Sequence, residues 1–254
     1  MTNQGLGSTT SNAASRIRYQ DKESLWQDYD NYVRDLAVKE GAQNIAELGG
    51  GAKPILGDSE KWGFIDHRII VDISAEELAK AEAESDVETR VLDLCKPVLD
   101  GREVYDIVFS RMLCEHVPDG RAFHQTCFDL LRPGGLAVHY FPTLYTLPFV
   151  LNRLIPEDAA RSLLNKIQPG RLDNPKWEKF PAYYQWTTGP TKRAIRRFES
   201  VGFKLEAWHG AYGHHYYQLL KPLAALEQAK TRWLTKHPVP ALTSYAAVTL
   251  RKPA

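Results

Sequence analysis

Short apolar runs alternate along this chain with longer segments in which apolar residues recur at helical spacing. The runs predict strands at 44–48, 67–72, 90–94, 105–110, 135–141, 203–208 and 244–250. The segments between them predict helices at 21–38, 74–84, 119–131 and 191–201. Because the strands are buried runs rather than strict alternations, we expect an α/β fold. Helices would cover both faces of a doubly wound, mostly parallel sheet of seven strands.

Two stretches interrupt this alternation. Residues 143–186 are rich in Leu, Pro and aromatic residues, and residues 210–241 separate the last two strands. Both are predicted to be helical lid insertions in a single domain that covers residues 17–254. Residues 1–16 are small and polar, and we expect a disordered tail there.

Charge and composition exclude several classes of protein. The chain has 32 Lys and Arg residues against 31 Asp and Glu residues, and this balance argues against a nucleic-acid partner. The N-terminal segment lacks the apolar region of a secretory signal, and no apolar run reaches the ~18 residues of a membrane span. We therefore expect a cytoplasmic protein. The cysteines are expected to be reduced thiols without metal-ligand spacing: Cys95, Cys114 and Cys127.

The candidate chemistry follows the predicted strands, because ligands of parallel sheets bind at the carboxyl ends of strands. The first strand ends in Glu47-Leu-Gly49-Gly50-Gly51, whose glycines let the backbone turn sharply beside a ligand. The second ends in Asp72, 25 residues after Glu47, and the third at Asp93-Leu94. An acid after the second strand suits the two hydroxyls of a ribose, whereas three successive acids would repel a pyrophosphate.

Each of these features alone has an ordinary structural explanation, as a turn or a helix cap, and only their order and spacing together favour a ligand site. A nicotinamide-dependent dehydrogenase is an alternative interpretation. Its G-x-G-x-x-G pattern, however, requires a glycine where this chain has Pro54.

A set of five segments carries a resemblance to a known family. They are IAELGGG (45–51), IIVDIS (69–74), VLDLC (91–95), YDIVFSRMLCEHV (105–117) and LLRPGGLAVHYFPT (130–143). In this order they resemble the class I S-adenosylmethionine-dependent methyltransferases, in particular the type 11 small-molecule methyltransferase domain. The resemblance implies S-adenosylmethionine as cofactor and a Rossmann-like sheet with strand order 3-2-1-4-5-7-6. Lys53 stands where the family often has another glycine, so the following helix is expected to be short or distorted.

The resemblance also implies roles for individual residues at the first glycine loop. Glu47 would anchor the amino group of the methionine moiety, partly through water. The glycines Gly49, Gly50 and Gly51 would line the methionine and the ribose. Near Tyr19 and Trp26, the first helix would fold over the cofactor, as N-terminal segments do in relatives.

Further cofactor residues are implied after the next three strands. Asp72 would hold the ribose hydroxyls, and Ile73 would pack on the adenine. Asp93, followed by Leu94, would accept a hydrogen bond from the adenine amine. Beside the methionine end, after the fourth strand, the resemblance places Ser110 and Arg111.

Methyl transfer to oxygen usually needs a base that takes the proton of the acceptor. His116 follows the fourth strand and is one candidate, although it could instead only orient its loop. His214 and His215 follow the sixth strand and are second candidates. With His209 they could alternatively form a metal site, but a matching acid is missing and we expect no metal. His139, within the fifth strand, is expected to be satisfied in the core or at the sheet edge.

Aromatic residues mark a candidate acceptor pocket. Aromatic faces beside polar tips suit sugar rings, aromatic natural products or lipid headgroups. Packing of a lid on its own core explains the same residues equally well, and the apolar lid segments could also make peripheral lipid contact. The candidate acceptor residues are Tyr183, Tyr184, Trp186 and Tyr216.

The sequence therefore predicts S-adenosylmethionine-dependent methylation of a small molecule. We expect O-methylation of a sugar, glycolipid or secondary metabolite by a monomer or homodimer. C- or N-methylation of a natural product is an alternative, and so is a non-catalytic partner protein that keeps the fold.

Overall fold

The structure is a computed structural model and describes residues 16–81, 83, 85–98, 102–144, 181–214 and 221–254. Most of the predicted tail and of the first predicted lid lie outside these residues, as do His215 and Tyr216. The strands are β1 (Ile17–Asp21), β2 (Asn44–Leu48), β3 (His67–Asp72), β4 (Glu88–Val91), β5 (Tyr105–Arg111), β6 (Leu131–Pro142), β7 (Lys204–Tyr212) and β8 (Tyr245–Arg251). The helices are α1 (Lys22–Glu40), α2 (Ser59–Trp62), α3 (Ala75–Ala79), α4 (Gly120–Leu130), α5 (Lys192–Glu199) and α6 (Lys221–Lys236).

The strands form one sheet in the order β1-β7-β8-β6-β5-β2-β3-β4. The seven strands from β2 to β8 have the predicted order. Strand β8 is antiparallel to both of its neighbours, and the other pairs are parallel. This arrangement confirms the predicted α/β class, and it brings the carboxyl ends of β4, β3, β2 and β5 side by side.

The sheet has eight strands rather than the predicted seven, because β1 adds a parallel edge strand to β7. The segment Ile17–Asp21 is short and mostly polar, so its sequence gives no strand pattern, and pairing with β7 determines its conformation. The ring of Tyr19 stacks on Tyr212 with ring centroids 5.8 Å apart. Gly210 makes room for that ring, because a Cβ there would lie 3.1 Å from it.

Helices cover both faces of the sheet over two apolar cores. Helix α1 presents Leu25, Tyr29 and Val33 to one face, which also holds Trp62 of α2. Helices α4 and α5 cover the opposite face with residues that include Phe123, Cys127 and Phe198. Burial on both faces explains why β2, β3, β5 and β6 have continuous apolar runs.

Several helices and strands begin or end at residues other than the predicted ones. The helix predicted at 74–84 begins after its Ser74 cap, whose side chain accepts from the amide of Glu77, but it ends at Ala79. The third predicted strand, 90–94, is found at Glu88–Val91 instead. The second predicted lid, 210–241, includes the end of β7 and helix α6.

Asp106, at the start of β5, ties three strands together at the amino edge of the sheet. Its Oδ2 accepts from the backbone N–H groups of Gln43 (2.7 Å) and Asn44 (2.8 Å), at the beginning of β2. Its Oδ1 accepts from Arg132 in β6. The carboxylate therefore satisfies two backbone donors that β2 leaves without strand partners.

We expect Asp106→Ala to lower the free energy of unfolding by about 3 kcal/mol, because two part-buried amides and one guanidinium lose their acceptor. Asp106→Asn keeps one acceptor oxygen and the size of the side chain, so its loss should be smaller. Urea unfolding of both variants measures the difference. A loss below about 0.5 kcal/mol for the alanine variant would show that water replaces the carboxylate.

Candidate functional site

The sheet order places four of the predicted strand ends next to one another. The glycine loop follows β2, Asp72 ends β3, Asp93 follows β4, and Arg111 ends β5. In the sheet, β2 lies between β5 and β3, and β4 lies beyond β3. The candidate cofactor residues therefore lie along one continuous edge, which is where parallel sheets bind ligands.

The glycine loop has a backbone conformation that requires glycine at two positions. Gly49 and Gly51 have φ angles of +71° and +51°. A Cβ on Gly49 would lie 2.7 Å from the side chain of Leu113. A Cβ on Gly51 would meet nothing closer than Asp72 Oδ2 at 3.6 Å, so the backbone at Gly51 faces open space beside that carboxylate.

Asp72 and Ile73 form the next part of the edge. Asp72 Oδ1 accepts from the amide of Ser74 at 2.9 Å, which fixes the direction of the carboxylate. The following side chain, Ile73, is 64% exposed although it is large and apolar. This exposed side chain offers an apolar surface to a flat ligand next to a hydrogen-bond acceptor.

Asp93 and Leu94 extend this edge beyond β4. Asp93 Oδ1 accepts from the amide of Cys95 at 3.0 Å, and its Oδ2 lies 3.2 Å from Lys96 Nζ. Leu94 is buried and belongs to the core beneath α4. Asp93 is thus partly exposed and positioned, whereas Leu94 supports it from below.

Glu47 has a different environment from the one that the resemblance implies. Its side chain is 3% exposed, and its oxygens accept from the amides of Ile55 (3.0 Å) and Leu56 (2.8 Å). Burial, only partly offset by these two hydrogen bonds, raises the pKa of Glu47 to about 7. In the described contacts Glu47 holds the loop after Gly51, and its role toward a cofactor stays a prediction.

The loop after the glycines has the shortened helix that Lys53 and Pro54 predict. Between β2 and β3 the chain forms turns up to the four-residue helix Ser59–Trp62, which is capped by Asp58. Proline removes an amide donor and so disfavours continuation of a helix at this point. The amides of Ile55 and Leu56, which a longer helix would use internally, bind Glu47 instead.

A polar cavity of about 430 Å³ lies between α1 and this loop. Arg111 lies on its wall, bound to Asp30 of α1 at 3.0 Å and stacked over Trp26. Lys61 lies 3.4 Å from Asp58. Within the described part of the chain, Arg34 and Lys53 line the same cavity without an ion-pair partner. The cavity therefore has spare positive charge next to the end of β5.

The predicted acceptor segment packs on the turn after β5. The backbone N–H groups of Tyr183 and Tyr184 both donate to the carbonyl of Glu115, at 2.7 and 3.1 Å. His116 Nδ1 donates to the carbonyl of Pro181 at 3.0 Å. His116 and Tyr183 are partly or fully exposed, whereas Tyr184 is buried. The structure thus brings His116 and these two tyrosines together.

Backbone strain is concentrated in the same region. Met112, Tyr184 and Trp186 have φ angles of 58°, 51° and 64°. Such angles are costly for residues with a Cβ, and they cluster at ligand sites where the surrounding structure determines them. This concentration favours the junction of β5 with segment 181–186 as part of a binding site.

The structure does not bring every candidate residue to this edge. Tyr19 lies on β1, five strands from β2, which is about 24 Å at ordinary strand spacing, so it does not reach the glycine loop. Trp186 stacks on His124 in the core beneath α4 rather than beside Tyr183. Ser110 is fully buried and binds His139 Nδ1 at 2.8 Å. In the described contacts these three side chains therefore pack elsewhere, and their roles toward a cofactor or an acceptor stay predictions.

The histidines on β7 and directly after it also lie apart from the glycine loop. His214 is buried, with Nε2 3.5 Å from Glu227 of α6, so a nearby acid exists that the sequence did not indicate. His209 packs on Tyr32 of α1 with ring centroids 5.3 Å apart. His215 and Tyr216 lie outside the described residues.

Glu115 is a candidate that sequence reasoning missed. Burial raises the pKa of its carboxyl to about 8, and among the described residues Oε2 has no hydrogen-bond partner. Its Oε1 lies 3.7 Å from His116 Nε2. The signal in the sequence was its position directly before His116, in the segment 115–117 (EHV).

None of the helices in the described part of the chain is both long enough and apolar enough to span a bilayer.

Comparisons with known proteins identify methyltransferases as similar proteins. Residues 46–139 match the family described as "Methyltransferase domain". A ubiquinone biosynthesis O-methyltransferase of Shewanella sp. (strain ANA-3) is 28% identical over 120 residues, which are 45% of this chain and 49% of that protein. The chain thus spans about half the length of this relative. A tRNA 5-carboxymethoxyuridine methyltransferase of Escherichia coli O157:H7 is 24% identical over 90% of this chain and 87% of that protein.

A solved structure shows that the likeness extends to the fold. The trans-methyltransferase CalH, in complex with SAH, has a TM-score of 0.53 and 18% sequence identity. The match covers 91% of this chain and 60% of that one.

The buried carboxyl of Glu115 predicts a specific pH dependence of stability. A folded pKa of about 8 lies above the unfolded value of about 4.3, so the folded protein holds this proton longer and loses stability as pH rises between them. Burial lowers the pKa values of His124 and His139. Below about pH 6.5 these two residues therefore make stability increase as pH rises. The loss should therefore appear above pH 6.5, where Glu47 adds to it up to about pH 7.

We expect Glu115→Gln to gain about 2 kcal/mol relative to the unchanged protein between pH 6.5 and pH 8. Urea unfolding at several pH values measures this difference. Glu60→Gln, at an exposed position, is the control and should follow the unchanged protein at every pH. Parallel curves for Glu115→Gln and the control would show that Glu115 is already ionised in the folded state.

Proposed function

Because this chain carries a methyltransferase domain of the class I S-adenosylmethionine-dependent type, we propose that it methylates an oxygen atom of a small molecule. The observation that carries the proposal is the edge formed by Gly51, Asp72 and Ile73, an open backbone next to an oriented carboxylate and an exposed apolar side chain. The family match over residues 46–139 supports the cofactor, and the O-methyltransferase among the relatives supports the acceptor atom.

The residues at this edge fit the cofactor of the family. Asp72 has one oxygen fixed by the amide of Ser74 and the other beside Gly51, which suits two adjacent ribose hydroxyls. Ile73 would cover one face of the adenine, and Asp93 would accept from its amine. Arg111 and Lys53 border the glycine loop and would lie on the side of the methionine carboxylate. S-adenosylmethionine supplies a methyl group on a sulfonium, which is an activated leaving group.

The protein's own part in the reaction is to position the acceptor, exclude water and remove a proton. His116 is the residue that the geometry favours as base, because it lies in the turn after β5, on which the segment of Tyr183 packs. Its Nδ1 donates to the carbonyl of Pro181, so Nε2 carries the lone pair that would take the acceptor proton. Glu115, 3.7 Å from that nitrogen, would stabilise the protonated ring once ionised.

His214 is a weaker candidate for the base. It is buried against Glu227, and β7 lies three strands from β5 in the sheet, about 14 Å at ordinary strand spacing. A base must come within hydrogen-bond reach of the proton that it removes. The end of β5 meets this requirement more directly.

A carboxylate is a second candidate acceptor. The relative that covers 90% of this chain acts, by its name, on tRNA 5-carboxymethoxyuridine, a substrate with a carboxylate group. Arg34 supplies positive charge in the cavity beside Arg111, which suits an anionic acceptor. A carboxylate is already deprotonated near neutral pH and needs no base, so the two acceptors differ in a property that can be measured.

We expect Asp72→Asn to weaken binding of S-adenosylmethionine and S-adenosylhomocysteine by about tenfold to a hundredfold, since a charged acceptor of two hydroxyls becomes neutral. The asparagine keeps the Oδ1 that binds Ser74, so the loop should retain its shape. Isothermal titration calorimetry measures the affinities, with NAD as a ligand that should not bind.

Asp66→Asn is the matched control, because Asp66 is exposed and directly precedes β3, at the opposite end of the strand from Asp72. It should leave both affinities unchanged. Unchanged binding in Asp72→Asn as well, or tight binding of NAD, would contradict the proposed cofactor site.

The variant His116→Gln distinguishes a hydroxyl acceptor from a carboxylate acceptor. Glutamine keeps a donor for the carbonyl of Pro181 but has no basic nitrogen. Release of S-adenosylhomocysteine is measured with a panel of phenols and carboxylic acids. With a hydroxyl acceptor we expect kcat to fall by about a hundredfold and to lose its dependence on a basic group.

With a carboxylate acceptor kcat should be unchanged, and Arg34→Ala should raise KM. Lys39→Ala, elsewhere on α1, is the control for charge. Full activity of His116→Gln on a hydroxyl would exclude His116 as base.

A further inference from the structure

A buried cluster of two histidines and one cysteine lies on the opposite face of the sheet from α1. His124 and Cys127 are one turn apart on α4, and His139 lies on β6. One potential ligand atom from each of the three lies within 4.8 Å of the others. All three side chains are buried, and His139 is fully inaccessible. The cluster therefore joins a helix to the centre of the sheet.

The imidazoles of this cluster are incompletely paired. Among the described residues, His124 Nδ1 and His139 Nε2 are buried without a hydrogen-bond partner. The other nitrogen of His139, Nδ1, is 2.8 Å from Ser110 Oγ. Buried polar atoms almost always have a partner, so two unpaired ring nitrogens in one cluster require an explanation.

The bond to Ser110 indicates which nitrogen of His139 is available. If Nδ1–H donates to Ser110 Oγ, Nε2 keeps its lone pair, and this is the nitrogen that has no hydrogen-bond partner among the described residues. Metal-binding histidines commonly use their second nitrogen in this way, since the outer bond fixes the tautomer and orients the ring. Ser110 Oγ is also 3.6 Å from Cys114 Sγ, so the serine hydroxyl has an acceptor of its own.

The surroundings of the cluster are apolar. Aromatic rings of Phe123, Trp186 and Phe198 surround His124 at centroid distances of 4.9, 5.7 and 4.8 Å. An apolar shell of this kind excludes water and strengthens a metal–ligand bond.

We propose that His124, Cys127 and His139 form a binding site for a thiophilic transition-metal ion, with Zn²⁺ as the ion that this ligand set suits best. Imidazole and thiolate ligands select Zn²⁺ or Cu⁺ over Mg²⁺ and Ca²⁺, which prefer oxygen. Binding deprotonates Cys127, whose thiol proton passes to solvent. The ion would clamp α4 to β6. The inference is independent of methyl transfer, because none of its ligands belongs to the proposed cofactor edge.

The test uses the full-length protein, treated with a chelator and titrated with Co²⁺ as a spectroscopic probe for Zn²⁺. We expect one Co²⁺ per chain, with a near-ultraviolet thiolate-to-cobalt charge-transfer band that added Zn²⁺ removes. Zn²⁺ should also raise the melting temperature, because it binds the folded state alone. Absence of the charge-transfer band at saturating Co²⁺ would overturn the proposal, and the unpaired nitrogens would then be assigned to a buried water or to aromatic packing.

Matched variants identify the ligands. Cys127→Ser should abolish the charge-transfer band, and His139→Gln should weaken Co²⁺ binding by at least tenfold. Cys95→Ser, at a partly exposed cysteine outside the cluster, should leave both unchanged. A band that persists in Cys127→Ser would assign the thiolate to another cysteine and overturn this ligand set. If the buried variants fail to fold, the titration of the unchanged protein and of Cys95→Ser still decides the question.

Discussion

A buried carboxylate, that of Glu47, determines the shape of the loop around which the candidate cofactor site is built. It accepts from the amides of Ile55 and Leu56, which a regular helix at this position would pair internally. The same loop forms one wall of the cavity whose other wall is α1, and Arg111 joins them through Asp30. The charged form of Glu47 favours the two amide bonds, whereas burial opposes it. With a pKa of about 7, Glu47, which holds this loop, gains a proton near neutral pH.

Most of the fold could be predicted from the sequence because burial on both faces of a parallel sheet produces continuous apolar runs. Strands β2 and β3 match the predicted ranges, and Ser74, Asp119 and Thr191, which begin three predicted helices, cap the observed helices α3, α4 and α5. Strand β1 could not be predicted, since a short polar edge strand takes its conformation from its partner β7. Helix α3 ends five residues before the predicted 84, although Ser74 marks its beginning clearly.

The candidate site was predictable only on its cofactor side. Residues after β2, β3 and β4 must meet at one edge once the strands are parallel, so Gly51, Asp72 and Asp93 follow from topology alone. The acceptor side depends on how segment 181–186 packs on the turn of Glu115, which no local pattern encodes. Glu115 illustrates the difference, because its sequence neighbours indicate a loop, whereas its burial beneath that segment raises its pKa to about 8.

Ser110 connects the two faces of the sheet at the end of β5. Its carbonyl accepts from the hydroxyl of Tyr29 in α1 at 2.8 Å, and its own hydroxyl binds His139 on the opposite face. The next residue, Arg111, forms the wall of the polar cavity and pairs with Asp30 of the same helix. A metal ion held by His139 would therefore restrain the strand end that positions Arg111 and the turn of His116. Such an ion would act on the site by rigidity alone, since its ligands lie beneath α4 and the cavity lies beneath α1.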